Sequence, residues 1–179
     1  MMAGQEYLLL EDAALLAQCE LETYKASGPG GQHRNKVSSA IRLHHRPTGI
    51  TAICNDSRNQ HENKRVALAR LRGKIACQVR RPVTGQPLVL PEMVQSCLFV
   101  PRGGGAGKGR LQVGRKDHRF WIVVQFLLDV LEAGGGQLST AASQLGISTS
   151  NFVTVLQEEK DSYVAAAEIR KRFGLGPIK

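Results

Sequence analysis

The sequence predicts an α+β fold: a small mixed or antiparallel sheet packed with helices over residues 1–80, then an all-α module over residues 115–179. Three observations carry this. Short apolar and polar alternations cluster between residues 20 and 54. Pro- and Gly-rich stretches occupy residues 81–114, read as a linker or long loop. Beyond residue 115, apolar residues recur at helical spacing.

Taken in order, "YLLLEDAALLAQC" (7–19) reads as a short helix with Leu8, Leu15 and Leu16 among its apolar residues. "ELETYKA" (20–26) alternates like a strand, and a Gly-rich loop follows at 27–32. Residues 37–46 and 50–54 read as two further strands. Pro47-Thr48-Gly49 between them combines a preset φ with a permissive glycine, which suits a hairpin. "NDSRNQ" is rich in capping residues and leads into a helix, "HENKRVALARLRGKIACQV". There Val66, Leu68, Leu71 and Ile75 share a face, while Lys64, Arg65, Arg72 and Arg80 project elsewhere. Within 81–114, "MVQSCLFV" is the stretch expected to be ordered. "HRFWIVVQFLLDVLEA" is apolar nearly all round and predicts a buried helix. "LSTAASQLGISTSNFVTVLQEE" has the pattern of a helix-turn-helix, with Gly146 at the turn and Ile147, Val153 and Leu156 burying the second helix. Its second helix offers Ser148, Thr149, Ser150, Asn151, Thr154 and Gln157 but no base, and Glu158-Glu159 follow. That composition favours a structural module over a helix reading a DNA groove.

The net charge of +9 is unevenly placed. Residues 1–32 carry about −4, residues 33–81 carry +10, residues 82–120 carry +4 and residues 121–179 carry −1. A positive excess confined to the middle of the chain is the footprint expected for a polyphosphate partner, RNA or DNA. No run approaches the roughly 18 apolar residues of a membrane span. The first twenty residues lack a basic n-region and contain Glu6, Glu11 and Asp12, so the cytoplasm is the expected compartment. Cys19, Cys54, Cys77 and Cys97 form no C-x-x-C pair and read as reduced thiols; no metal and no cofactor is expected. "GGGAGKG" superficially suggests a phosphate-binding Walker loop. The pattern needs Gly six residues before Lys108 and Ser or Thr after it, but Arg102 and Gly109 stand there.

Gly-Gly-Gln occurs twice. At 135–137 it lies where one helix should stop and the next begin, and glycines there serve as left-handed caps. At 30–32 it follows a strand and "SGP", and opens into His33, Arg34 and Lys36. Flanking glycines let the backbone approach a ligand and present N–H groups. Gln32 has no group that titrates near neutrality, so it suits placing a water or stabilising an oxyanion rather than general-base work.

The stretch from "YKASGPGGQHRNKVSSAIRLHH" through "PTGI" and "SRNQHENK" to "ALARLRGKI" resembles, in order and spacing, the catalytic domain of class I peptide-chain release factors and related ribosome-rescue peptidyl-tRNA hydrolases. The resemblance covers roughly residues 5–80. It implies that Gly30, Gly31 and Gln32 enter the peptidyl-transferase centre of the large ribosomal subunit, where the ester of P-site peptidyl-tRNA is hydrolysed. It further implies that the Gln32 main-chain N–H stabilises the tetrahedral species or leaving group, that its side chain positions water, and that a glutamine methyltransferase modifies it. His33, Arg34, Lys36, Arg42, Arg58, Lys64, Arg65 and Arg72 would then meet ribosomal RNA or tRNA. His44, His45 and His61 are expected to serve packing or RNA contact rather than catalysis. Stop-codon-reading relatives carry further domains with a codon-recognition loop, and small rescue hydrolases end in a long basic tail. This chain presents a nearly neutral helical module with a short Arg170-Lys171-Arg172 cluster. The expectation is a codon-independent peptidyl-tRNA hydrolase. A hydrolase whose helical module recruits another recognition partner or recognises damaged RNA or mRNA is the second reading, and a non-catalytic ribosome- or nucleic-acid-binding protein using the helix-turn-helix is the third.

Overall fold

The computed structural model describes residues 4–25, 39–83, 88–100 and 108–178. The chain divides into two compact units, the first spanning Glu6–Ile75 and the second Ala76–Lys179.

The first unit opens with two short helices, α1 (Gly4–Leu9) and α2 (Asp12–Ala17), where the sequence suggested one. The break at Leu10-Glu11 has a cause 60 residues away. The Arg72 guanidinium donates to Leu8 O (2.9 Å) and Leu10 O (2.6 Å), taking carbonyls that a continuous helix would use. Strands β1 (Cys19–Tyr24), β2 (Ala40–His45) and β3 (Ile50–Cys54) form an antiparallel sheet in that order. Period-two alternation sets its faces. Ile41 opposite Cys54 and Leu43 opposite Ala52 are buried, while Arg42 stands outward between Glu22 and Ile53. The β2–β3 turn is the expected hairpin: Gly49 takes φ +70°, and its N–H donates to His45 O at 2.8 Å. Helix α3 (Gln60–Gln78) buries Ala67, Leu68, Leu71 and Ile75. Asn59 starts it, its side-chain oxygen accepting from His61 N (2.9 Å).

The second unit is built around α5 (Phe120–Ala133), which is buried from Ile122 to Leu131 without interruption, as its all-apolar pattern predicts. Helices α4 (Glu92–Gln95), α6 (Leu138–Gln144), α7 (Thr149–Gln157) and α8 (Lys160–Arg172) pack on it. A two-stranded ribbon, β4 (Leu98–Phe99) with β5 (Arg110–Leu111), completes the unit. Val94, Cys97 and Leu111 join its core, so the described parts of residues 81–114 contribute structure as well as length. None of the described helices is long and apolar enough to cross a membrane.

Gly135-Gly136-Gln137 is a helix–helix connector. Gly135 and Gly136 are left-handed (φ +63° and +76°), and Gly136 N donates to Leu131 O at 2.8 Å, closing α5 before Gln137 caps α6. A Cβ on Gly136 would also lie 3.2 Å from Arg170 Cα, a close contact that adds to the strain of its left-handed backbone.

Candidate nucleic-acid interface

Gly30, Gly31, Gln32, His33, Arg34 and Lys36 lie outside the described residues. The residues on either side of that segment are described, and they define where it is held. It joins β1 to β2, whose last cross-strand pair is Tyr24 opposite Ala40.

Two side chains brace this junction. Arg42 pairs with Glu22 (3.1 Å) and lies over the Tyr24 ring, 5.5 Å from its centroid. On the other side, fully buried Asn63 in the first turn of α3 donates to Ser39 O (2.8 Å) and Ser57 O (2.6 Å). Its oxygen accepts from Ser57 N (2.9 Å) and from the Cys54 thiol (3.3 Å). One amide thereby ties the residue entering β2, the end of β3, the 55–59 loop and α3 together. Charge and motif reasoning passed over Asn63. The available signal was its spacing, since positions 63, 67, 71 and 75 form one stripe in which Asn63 alone is polar.

The bases of this unit fall into two groups that composition could not separate. Arg70 donates to Ile53 O (2.8 Å) and pairs with Asp56 (2.6 Å), and Lys74 donates to Thr51 O (2.8 Å), both fastening α3 to the sheet. Arg46 donates to Ala17 O (2.9 Å) at the end of α2. Arg72 is engaged by Leu8, Leu10 and Asp12, with its side chain only 19% exposed. By contrast Arg58, Lys64 and Arg65 form no ion pair among the described residues; Arg58 and Arg65 are exposed and Lys64 is half-buried. They occupy the 55–59 loop and the first turns of α3, the end of the helix that Asn63 connects to Ser39. Of the bases on α3, Arg70, Arg72 and Lys74 thus spend donors on the fold, while Lys64 and Arg65, at the end of the helix that carries Asn63, form no hydrogen bond or ion pair among the described residues.

The histidines of the sheet are packing groups. His45 is fully buried, bonded to Thr48 (2.8 Å) and Gln18 (3.1 Å), and its ring meets Tyr7 edge-on at 4.8 Å. Burial, with His44 alongside, pushes its pKa down. His44 bonds Thr51 (3.0 Å), and His61 is exposed. The four cysteines are free; burial pushes the Cys77 thiol up to about 12, which makes it inert.

In the second unit, three polar residues of the helix-turn-helix are used internally. Asn151 accepts from Leu111 N (2.7 Å) and donates to Leu111 O (3.0 Å). Ser148 caps α7 through Asn151 N (3.1 Å), and Thr154 donates to Ser150 O (2.9 Å). At the α6–α7 turn, which is exposed at Gly146, Gly109 N donates to Gly146 O at 2.7 Å.

Residues 15–84 match the RF-1 domain family. Among similar proteins is the peptide chain release factor 1 of Leptothrix cholodnii, 51% identical over 141 residues, covering 72% of this chain and 37% of the relative. Peptide chain release factor 1 of Nitrosospira multiformis is 34% identical over 143 residues, covering 74% and 37% respectively. That of Acetivibrio thermocellus is 54% identical over 55 residues, covering 31% and 15%. The chain spans little more than a third of the length of the first two relatives. Residues 15–84, in which Gly30-Gly31-Gln32 falls in sequence between β1 and β2, are a class I release-factor catalytic domain.

Proposed function

We propose that this chain hydrolyses the peptidyl-tRNA ester in the peptidyl-transferase centre of the large ribosomal subunit, acting in translation termination or ribosome rescue. The observation that carries the reading is the match of residues 15–84 to the RF-1 domain, with Gly30-Gly31-Gln32 inside it. In this reading the Gln32 side chain holds a water against the ester carbonyl. The water oxygen bonds to the carbonyl carbon, the bond to the tRNA ribose oxygen breaks, and that oxygen takes a proton to leave as the free 3′ end. The Gln32 main-chain N–H stabilises the negative oxygen that develops. One such donor is worth roughly a hundred- to a thousand-fold in rate. No ionisable protein group is required, which agrees with a motif of two glycines and an amide.

Arg34, Lys36, Arg58, Lys64 and Arg65 then contact ribosomal RNA or tRNA phosphates and hold the motif in register, with His33 and Arg42 beside them. Arg72 enters this set only through its effect on the fold. We propose further that release by this chain is independent of the codon, and that Gln32 is a substrate for a glutamine methyltransferase.

The test is peptide release from ribosomes holding peptidyl-tRNA, with a stop codon, a sense codon or no codon in the A site. The expected result is similar release in all three. Gln32→Pro, which removes the main-chain donor, and Gln32→Ala, which removes the side chain, should each lower the rate constant while ribosome binding persists. Release at stop codons alone would overturn codon independence; unchanged release in both variants would overturn the catalytic assignment. Methylation is checked by mass spectrometry of the peptide containing Gln32 from the native host.

A further inference from the structure

We propose that the β4–β5 ribbon of the second unit is a binding platform for an unpaired polynucleotide strand, separate from the release-factor domain and independent of the release reading. The ribbon has two faces. Leu98 opposite Leu111 points inward, Leu111 being only 3% exposed, whereas the next pair, Phe99 opposite Arg110, is exposed. Phe99 is 57% exposed and its neighbour Val100 61%, an apolar surface that burial in this unit does not explain. An aromatic ring paired across strands with a guanidinium has the chemistry of a base-stacking surface with a phosphate contact beside it.

The charge around it favours nucleic acid over protein as the occupant. Residues 108–119 hold five Lys or Arg against Asp117 alone. Asp117 is consumed by Arg119 (2.6 Å), and Arg115 pairs with Glu159. Lys108, Arg110 and Lys116 are exposed and form no ion pair among the described residues. Next to Arg110 an open groove of about 430 Å³ is lined by Gln112, Gly114, Asn151, Thr154 and Glu158. The ribbon is rigidly seated for such a role. Gln112 N donates to Cys97 O (2.9 Å), Gly109 N to Gly146 O (2.7 Å), and Asn151 holds both backbone groups of Leu111. Binding would therefore not have to order the surface first.

The experiment measures binding of 12-nucleotide single-stranded RNA, the DNA of the same sequence, and the corresponding RNA duplex. The protein is the full chain carrying Lys64→Ala and Arg65→Ala to weaken the first unit's contribution. Phe99→Ala should lower single-strand affinity roughly tenfold, about 1.4 kcal/mol, while Phe99→Trp retains it. Arg110→Ala should reduce the slope of log affinity against log salt by about one. Duplex binding should be weaker and insensitive to Phe99→Ala, and ultraviolet cross-linking of the single strand should map to the peptide containing Phe99. The strand bound more tightly identifies RNA or DNA as the ligand. Because Phe99 is outside the core, circular dichroism should be unchanged. Unaltered single-strand affinity in Phe99→Ala, or equal losses on single strand and duplex, overturns the proposal. So does a Phe99→Ala variant that keeps its RNA affinity but loses association with a protein, its own copy included.

Discussion

Asn63→Ala is expected to destabilise the first unit by about 3 kcal/mol and to loosen the junction at Ser39. The side chain is fully buried and makes four hydrogen bonds, to Ser39 O, Ser57 O, Ser57 N and the Cys54 thiol. Truncation leaves one backbone N–H and two carbonyls without these partners, at about 1–3 kcal/mol for each group that stays buried. Partial hydration of the 55–59 loop brings the sum to the low end of that range. Asn63→Asp keeps an acceptor for Ser57 N but turns a carboxylate oxygen toward two carbonyls, so it should be no milder. The assay pairs urea unfolding followed by fluorescence and circular dichroism with amide hydrogen exchange. Exchange gives the local readout: the Ser57 amide should lose protection, more than amides in the centre of α3 such as Leu71. If Asn63→Ala costs under about 1 kcal/mol, or the Ser57 amide stays as protected as in wild type, the four-way tie does not hold this junction together.

The two groups of bases should behave oppositely. Arg72→Ala should lower stability by about 2 kcal/mol, with Arg72→Lys rescuing little because an ammonium cannot span Leu8, Leu10 and Asp12 as the fork does. Lys64→Ala with Arg65→Ala should leave the unfolding midpoint unchanged and shrink the salt dependence of ribosome binding. At the α5–α6 connector, Gly135→Ala should cost about 1–2 kcal/mol for its left-handed backbone alone, since a Cβ there meets nothing within 4 Å. Gly136→Ala, facing Arg170 Cα at 3.2 Å with φ +76°, should cost clearly more in the same unfolding assay. Asp129 is 5% exposed beside Arg80, and burial raises its folded pKa to about 6. The folded form then holds its proton more tightly than the unfolded chain does. This group's contribution to stability therefore falls as pH rises from about 4 through about 6, by at most roughly 1.4 kcal/mol for each pH unit crossed. Urea titrations at pH values near 4.5 and 7 should show that slope in wild type and a flatter one in Asp129→Asn.

Local patterns carried far in this chain. The β2–β3 hairpin at Pro47-Thr48-Gly49, α3, the buried α5 and the α6–α7 turn at Gly146 all rest on interactions within a few residues, so periodicity and turn chemistry reveal them. The break between α1 and α2 was not legible, because its cause is the guanidinium of Arg72, far along the chain. The β4–β5 ribbon was hidden for the same reason, since its strands are two residues each and are held by Cys97, Gly146 and Asn151.

The motif order around Gly30-Gly31-Gln32 and the central block of positive charge are properties of the sequence alone, and they suffice to identify the release-factor catalytic domain. Tertiary structure decided which charges remain available. Arg70, Arg72 and Lys74 look the same as Lys64 and Arg65 in a composition count, yet the first three spend their donors on backbone carbonyls and carboxylates. The physical reason is that a cation's partner is fixed by what the fold brings within about 3 Å of it, and those partners come from strands and loops distant in sequence. The two Gly-Gly-Gln copies, by contrast, were separable by their neighbours in sequence, and the structure adds the left-handed φ of Gly135 and Gly136 that stops α5.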